Sequence, residues 1–366
     1  QKKRDGVLRW MDAYMDYGMI LDIPAWVARS PAGAKATGIS TYDEAVAATR
    51  INNDYWMKHR TGACKFLNVL QGENHADADD WYEQMKDYCD PVKYPDNHFN
   101  GWSMGGQNMC DIHLVLKRIV ALRFDGLLEQ GLHDFMHFLG TSKLEWATLL
   151  TDIQRAVRKY HNPNFTITFD CASPFLATAN GQIYIQTETK DRTKWVYRMV
   201  PSIDELKYAT DTRNFRDGVL ADGIFKNFTN SPLTENIKVN DVCIYAPGDV
   251  NKVGGPKILK GEIDRDKHGA PILDEQGNEQ VRKRDSTSWD SFSYAIQMGH
   301  NVWSHINAVQ EANRQYDSGS VPAMLVEEQF DRLYFRDVVE AIFATPNRDE
   351  ANAIIEEYSK FWMSII

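Results

Sequence analysis

Along the first 175 residues, short apolar runs alternate with longer segments of helical period. Five runs read as buried strands: 18–25, 65–72, 99–106, 134–140 and 165–173. Each is short, rich in β-branched, aromatic or aliphatic residues, and bounded by Gly, Pro, Asn or Asp. Between them, 5–17, 41–60, 77–89, 110–128 and 144–160 carry the i, i+3, i+4 spacing of helices, with Leu149, Ile153, Ala156 and Val157 on one face of the last. Thr41 followed by Glu44 has capping-box spacing at the start of the second helix. Residues 30–40, rich in Gly, Ala and Pro, read as a loop. Strand–helix alternation with apolar strands predicts a parallel sheet covered on both faces. The expected fold is α/β, a (β/α)8 TIM barrel. A closed barrel needs eight strands, so the five visible here are expected to be strands four to eight, with the first three ahead of Gln1. A doubly wound open sheet is the alternative, but no GxGxxG or P-loop follows any of the strands.

The pattern changes after Ser173. Runs 182–187 and 194–200 flank the turn Lys190-Asp191-Arg192 and predict a hairpin, and 237–245 reads as a further strand. Residues 248–285 are polar and rich in Gly and charge, with Lys252, Lys257, Lys260, Arg282, Lys283 and Arg284. They read either as a solvated loop or as a phosphate-contacting arm. Three helices follow, at 289–316, 326–344 and 349–364. The expected organisation is a barrel portion at 1–175, a divergent insert at 176–288 and C-terminal helices at 289–366.

The strand ends carry the candidate chemistry. In order they finish in Asp22, Gln71, Gly105-Gly106, Gly140 and Asp170. In a barrel, active sites form at the C-terminal ends of several strands at once. Asp22 and Asp170 are a possible glycosidase pair of acid and nucleophile. A catalytic metal site would need histidines at strand ends. His98 lies near a strand start, His133 and His161 fall in loops, and His137, inside a strand, reads as a core histidine. No Ser elbow is present, and Cys171 reads as a packing residue. Asp22, Gln71 and Gly106 also suit recognition of guanine. A carboxylate accepts the N1–H and N2–H donors, while a Gln amide and a backbone N–H donate to O6.

Composition narrows the picture only slightly. With 43% hydrophobic and 25% charged residues the chain has the profile of a water-soluble protein, and no run approaches the length of a membrane span. Five scattered cysteines without a CxxC pair fit a reducing, cytoplasmic compartment. A net charge of −10 leaves room for only a local nucleic-acid groove on an acidic body.

Taken in order, the strand ends resemble those of the tRNA-guanine transglycosylase family, (β/α)8 barrels that exchange guanine for a 7-deazaguanine. Phe169-Asp170-Cys171 is similar to the family's Phe-Asp-Cys, which implies Asp170 as nucleophile. Leu21-Asp22-Ile23-Pro24 is loosely similar to Phe-Asp-Glu-x-x-Pro, which implies that Asp22 holds the base edge. Leu70-Gln71-Gly72 is similar to Val-Gln-Gly, and Met104-Gly105-Gly106 to Ile-Gly-Gly. Phe138-Leu139-Gly140-Thr141-Ser142 is similar to Leu-Met-Gly-Val-Gly, which implies that Leu139 packs on the base. His300-Asn301 resembles the family's His-Asn helix. Departures matter as much. The family's Asp-Ser-Gly-Gly motif is absent and is expected ahead of Gln1. The Cys-x-Cys-x-x-Cys cluster that binds zinc is also absent, leaving His300 alone, so no cofactor is implied. Pro174-Phe175-Leu176-Ala177-Thr178 replaces the Thr-Arg-Ser-Gly-Arg-like segment of the tRNA enzymes. The chain thus most resembles the divergent, phage-type 7-deazaguanine DNA transglycosylases. The resemblance implies double-stranded DNA and a free preQ0-like base as partners, with tRNA as the alternative. It also implies restriction evasion in a host bacterial cytoplasm. A barrel hydrolase acting on a small substrate stands outside the resemblance.

Overall fold

The computed structural model describes residues 2–203, 205–243, 291–327 and 332–363, with scattered positions between 263 and 281. The chain divides into two compact units, Gln1–Cys171 with Gln315–Ile366, and Ala172–Arg314. The boundary expected at 175/176 thus stands beside one at 171/172. Most of the helix read at 289–316 goes with the second unit. The basic positions singled out between 252 and 284 lie outside the described residues.

The first unit opens with helix α1 (Lys2–Tyr14) and strand β1 (Tyr17–Met19), then α2 (Ala25–Arg29), α3 (Pro31–Thr37) and α4 (Tyr42–His59). Strand β2 (Lys65–Leu70), α5 (His75–Met85), β3 (Gly101–Met104), α6 (Ile112–Phe124), β4 (Phe135–Phe138), α7 (Leu144–Tyr160) and β5 (Thr166–Phe169) complete the alternation. The five strands pair in chain order, all parallel. One face of the sheet packs on the helices: Phe66 meets Trp56 of α4, Trp102 meets Tyr82 of α5, and Phe138 meets Trp146 of α7. These aromatic contacts and the burial around them supply the main driving force for the layer. The opposite face is concave. Tyr17 of β1 and Phe135 of β4 stack at 4.3 Å although two strands separate them. Gly101 lies beside Phe135 in the register, and a Cβ there would fall 2.2 Å from the Phe135 carbonyl oxygen. The result is a curled five-stranded half-barrel, a partial form of the α/β barrel.

Differences from the sequence reading have local causes. Residues 31–37 are helical rather than loop, because Ser30 caps the turn by accepting from Gly33 N and Pro31 stands at the first helical position. Strand five stops at Phe169, and Pro174 again helps start a helix, α8 (Ser173–Ala179).

In the second unit, β6 (Gln182–Glu188) and β7 (Val196–Pro201) form the expected antiparallel hairpin. Helices α9 (Phe215–Ala221) and α10 (Val239–Val242) follow, then the long α11 (Ser291–Asp317). Within the strand read at 237–245, Val239–Val242 form α10 instead, started by Asp241, whose carboxylate accepts from Lys238 N, while 244 and 245 lie outside the described residues. Ile183, Phe215, Val219, Phe225, Val239 and Val242 build this unit's core. His300 and Asn301 on α11 act here as connectors. His300 bonds the Tyr184 carbonyl oxygen through Nε2 (2.7 Å) and Ser231 Oγ through Nδ1 (2.9 Å). Burial lowers its pKa to about 4. Asn301 accepts from Tyr184 N and donates to Thr178 Oγ1 and the Gln182 carbonyl.

After α11 the chain adds the short strand pair β8 (Val326–Glu327) and β9 (Leu333–Tyr334), then α12 (Phe335–Ala344), α13 (Arg348–Glu357) and α14 (Ser359–Trp362). The helix read at 326–344 therefore begins only at Phe335, and the one read at 349–364 is two helices. No helix among the described residues is long and apolar enough to cross a membrane.

Candidate active site

Parallel register places most of the sequence-derived site residues in one row. The ladder continues one residue past the strands: Gly105 N donates to Leu70 O (2.8 Å), Leu139 N to Met104 O (3.0 Å) and Asp170 N to Phe138 O (3.3 Å). Gln71, Gly105, Leu139 and Asp170 are therefore neighbours at the C-terminal edge, on the concave face by the two-residue period of the pleat. The row beneath is Val69, Ser103, His137 and Thr168, and below that lie Leu67, Gly101, Phe135 and Thr166.

At one end of the row, Gln71 Nε2 donates to Asp22 Oδ2 at 2.8 Å. Asp22 lies in the turn after β1. Helix α4 holds that turn: Ile23 N donates to Thr49 Oγ1 (2.9 Å) and Asn52 Nδ2 to the Leu21 carbonyl (2.6 Å). Burial pushes the Asp22 carboxyl up to about 6, against the lowering effect of the Gln71 amide. Gln71 lies against Gly105, where a Cβ would meet its Nε2 at 2.6 Å. Asn108, fully buried, donates to the carbonyls of Gln71 and Gly105 (3.2 Å each) and ties the two strand ends together.

Gly106 is required at its position. Its φ of +56° is left-handed, and a Cβ would lie 2.3 Å from the Gly72 carbonyl oxygen. Gly106→Ala is expected to lose about 2–4 kcal/mol of stability from strain and overpacking combined, measured by urea unfolding. A loss below about 0.5 kcal/mol would mean that the two turns separate freely.

At the other end of the row, Asp170 is an exposed carboxylate, its side chain 65% accessible. Its Oδ1 accepts from Gly140 N at 2.9 Å. His137 Nε2 lies 3.6 Å from the same oxygen, and Nδ1 is 2.8 Å from Thr168 Oγ1. Burial lowers the His137 pKa, partly offset by Asp170. The interior-strand histidine read as a core residue is thus buried, with one ring edge turned to the candidate nucleophile. Met109, on the turn after β3, lies beside Gly140, where a Cβ would stand 3.8 Å from its Sδ. Leu139 is half-buried in the row between Gly105 and Asp170.

Outside the row, His75 Nε2 meets Asp111 Oδ2 at 2.6 Å on the following turns, and Asp111 caps α6 through Leu114 N. His133 spends both ring nitrogens on backbone, at Glu129 N and the Cys89 carbonyl.

Sequence reasoning missed Thr49, Asn52, Asn108 and the His137–Thr168 pair. A signal existed for the first two. Thr49, Asn52 and Asn53 place three polar residues at i, i+3 and i+4 on the buried side of α4. Such groups need partners, and two of theirs are the turn that carries Asp22.

The assembled site has a carboxylate and an amide at one end, a carboxylate with one oxygen occupied at the other, and glycines between them that let the turns after β2 and β3 pack in contact. No protein-family model matches the chain, and no curated protein matches it.

Proposed function

We propose that the protein is a base-exchange pentosyltransferase that replaces guanine in DNA with a 7-deazaguanine. Asp170 attacks C1′ of the target deoxyguanosine, guanine departs, and a covalent deoxyribosyl ester forms. The incoming base then attacks C1′ and frees the carboxylate. Asp22 takes the N1–H and N2–H edge, Gln71 and the Gly105–Gly106 backbone take O6, and Leu139 packs on the ring. The target base leaves the stack before reaction, because C1′ is otherwise shielded from attack on the required side. The observation that carries the reading is the single row from Gln71 to Asp170, with Asp22 hydrogen-bonded to its first member. A base-edge reader and a nucleophile at opposite ends of one row suit a substrate bonded at both its Watson–Crick edge and its sugar. The same row is what the resemblance to guanine transglycosylases implies.

The test incubates the full-length protein with radiolabelled guanine or preQ0 and either duplex DNA or tRNA. Label is expected in DNA. Label in tRNA alone would transfer the reading to tRNA, and turnover of a small glycoside without any base incorporation would replace it with a hydrolase.

A further inference from the structure

We infer that His137, oriented by Thr168, is a positioning residue that marks one oxygen of Asp170 as the non-reacting one and speeds release of the covalent intermediate. The inference rests on Asp170 being the nucleophile proposed above.

Both neighbours of the carboxylate address the same atom. Gly140 N donates to Oδ1 at 2.9 Å, and His137 Nε2 faces Oδ1 at 3.6 Å. Among the described residues none bonds Oδ2, which keeps its lone pairs. His137 is buried, and its Nε2 has no hydrogen-bond partner at normal length. A buried, unsatisfied ring nitrogen beside a carboxylate is costly unless it can donate to it. The neighbouring charge selects the tautomer with the proton on Nε2, and the Thr168 hydroxyl then donates to Nδ1. Ser103, next in register to His137, has a buried Oγ without a partner and makes no competing bond to the ring. Catalytic hydrogen bonds are often long in the unliganded protein and close when substrate turns the acceptor. Here the acceptor is an exposed side chain, free to turn.

The chemistry gives the arrangement a direction. In the first half-reaction the Oδ2–C1′ bond forms, the C1′–N9 bond breaks, and its electron pair leaves with guanine, which takes up one proton from solvent. In the second, N9 of the incoming base attacks C1′, its proton returns to solvent, and the C1′–Oδ2 electrons go back to the carboxylate. Between these steps Oδ1 is an ester carbonyl, a weaker acceptor than a carboxylate oxygen. A donor on Oδ1 therefore favours free Asp170 over the ester. It steadies the nucleophile and makes it a better leaving group.

The test separates the half-reactions. Full-length His137→Leu is expected to release the trapped DNA adduct to added 7-deazaguanine about tenfold more slowly than wild type, so that adduct accumulates. His137→Gln, which keeps a donor, should recover most of the rate, and Thr168→Val should behave partway like His137→Leu. A merely structural role would instead lower adduct formation and leave its release unchanged, which would overturn the inference. A second readout does not depend on turnover. Nitrogen-15 imidazole spectra should show the Nε2–H tautomer, with its signal moved by Asp170→Asn. An Nδ1–H tautomer, or a signal blind to that substitution, overturns the inference even where exchange is intact. Absence of any wild-type adduct would instead remove the base-exchange reading, and the spectra would still judge the contact.

Discussion

Asp170→Asn is expected to abolish base exchange, by about 10⁴-fold or more, with no covalent DNA adduct on denaturing gels. The substitution removes the proposed nucleophile and little else. The side chain is 65% accessible, and among the described residues its one hydrogen bond at normal length is accepted from Gly140 N by Oδ1. An asparagine carbonyl oxygen can accept the same bond, so the midpoint of thermal unfolding should stay within a few degrees of wild type. An amide oxygen does not form a stable glycosyl ester, so the two-step route closes. Residual exchange within about tenfold of wild type would show that another group attacks C1′ or that water does so directly.

The second large effect concerns Asp22 and carries a sign. Its carboxyl is raised from 3.8 to about 6 by burial. A raised folded-state pKa means that the neutral acid is the form the fold prefers. Its contribution to stability is fully present below the unfolded value and is lost as pH rises through about 6. The loss is on the order of 2–3 kcal/mol for the unliganded protein. The proposed base recognition runs the other way, because a carboxylate accepts both the N1–H and N2–H donors, whereas a protonated acid presents a donor of its own. Binding of a free 7-deazaguanine should therefore be flat above about pH 7 and weaken as pH falls below about 6, approaching tenfold per unit. Asp22→Asn should weaken binding about 100-fold at pH 7.5 and remove the slope. It should also flatten the stability profile between pH 4 and 6. Calorimetric titration of base into wild type and variant over pH 5–8, with urea unfolding of both, checks these expectations. A wild-type affinity independent of pH would show that Asp22 does not read the base.

Much of this site could be read from the chain because its residues sit where periodic patterns end. Asp22, Gln71, Gly105-Gly106 and Asp170 each follow a short apolar run, and the alternation of strand and helix puts such ends on one rim. What stayed hidden depends on register. That His137 stands beside Thr168 and beneath Asp170 follows only once β4 and β5 are paired residue to residue, because a shift of one position would turn His137 toward the helices. The reversal at 31–37 has another origin. A Pro-, Gly- and Ala-rich stretch carries both loop and helix-start signals, and the Ser30 cap decides between them. At 237–243 apolar residues alternate with Lys238 and Asn240 as in a strand, but the Asp241 carboxylate caps a helical turn instead.

The stack of Tyr17 on Phe135 also matters to anyone wishing to remodel the protein. Phe135 stands four residues below the level of Asp170, paired with Thr166, so the rings form a floor roughly 13 Å beneath the rim. Between rim and floor lies the layer of Val69, Ser103, His137 and Thr168, and Gly101 lets the strands close at the level of the floor. The depth available below the rim is therefore set by that buried middle layer rather than by the floor, and at the rim itself the glycines are already at their smallest and the turns touch.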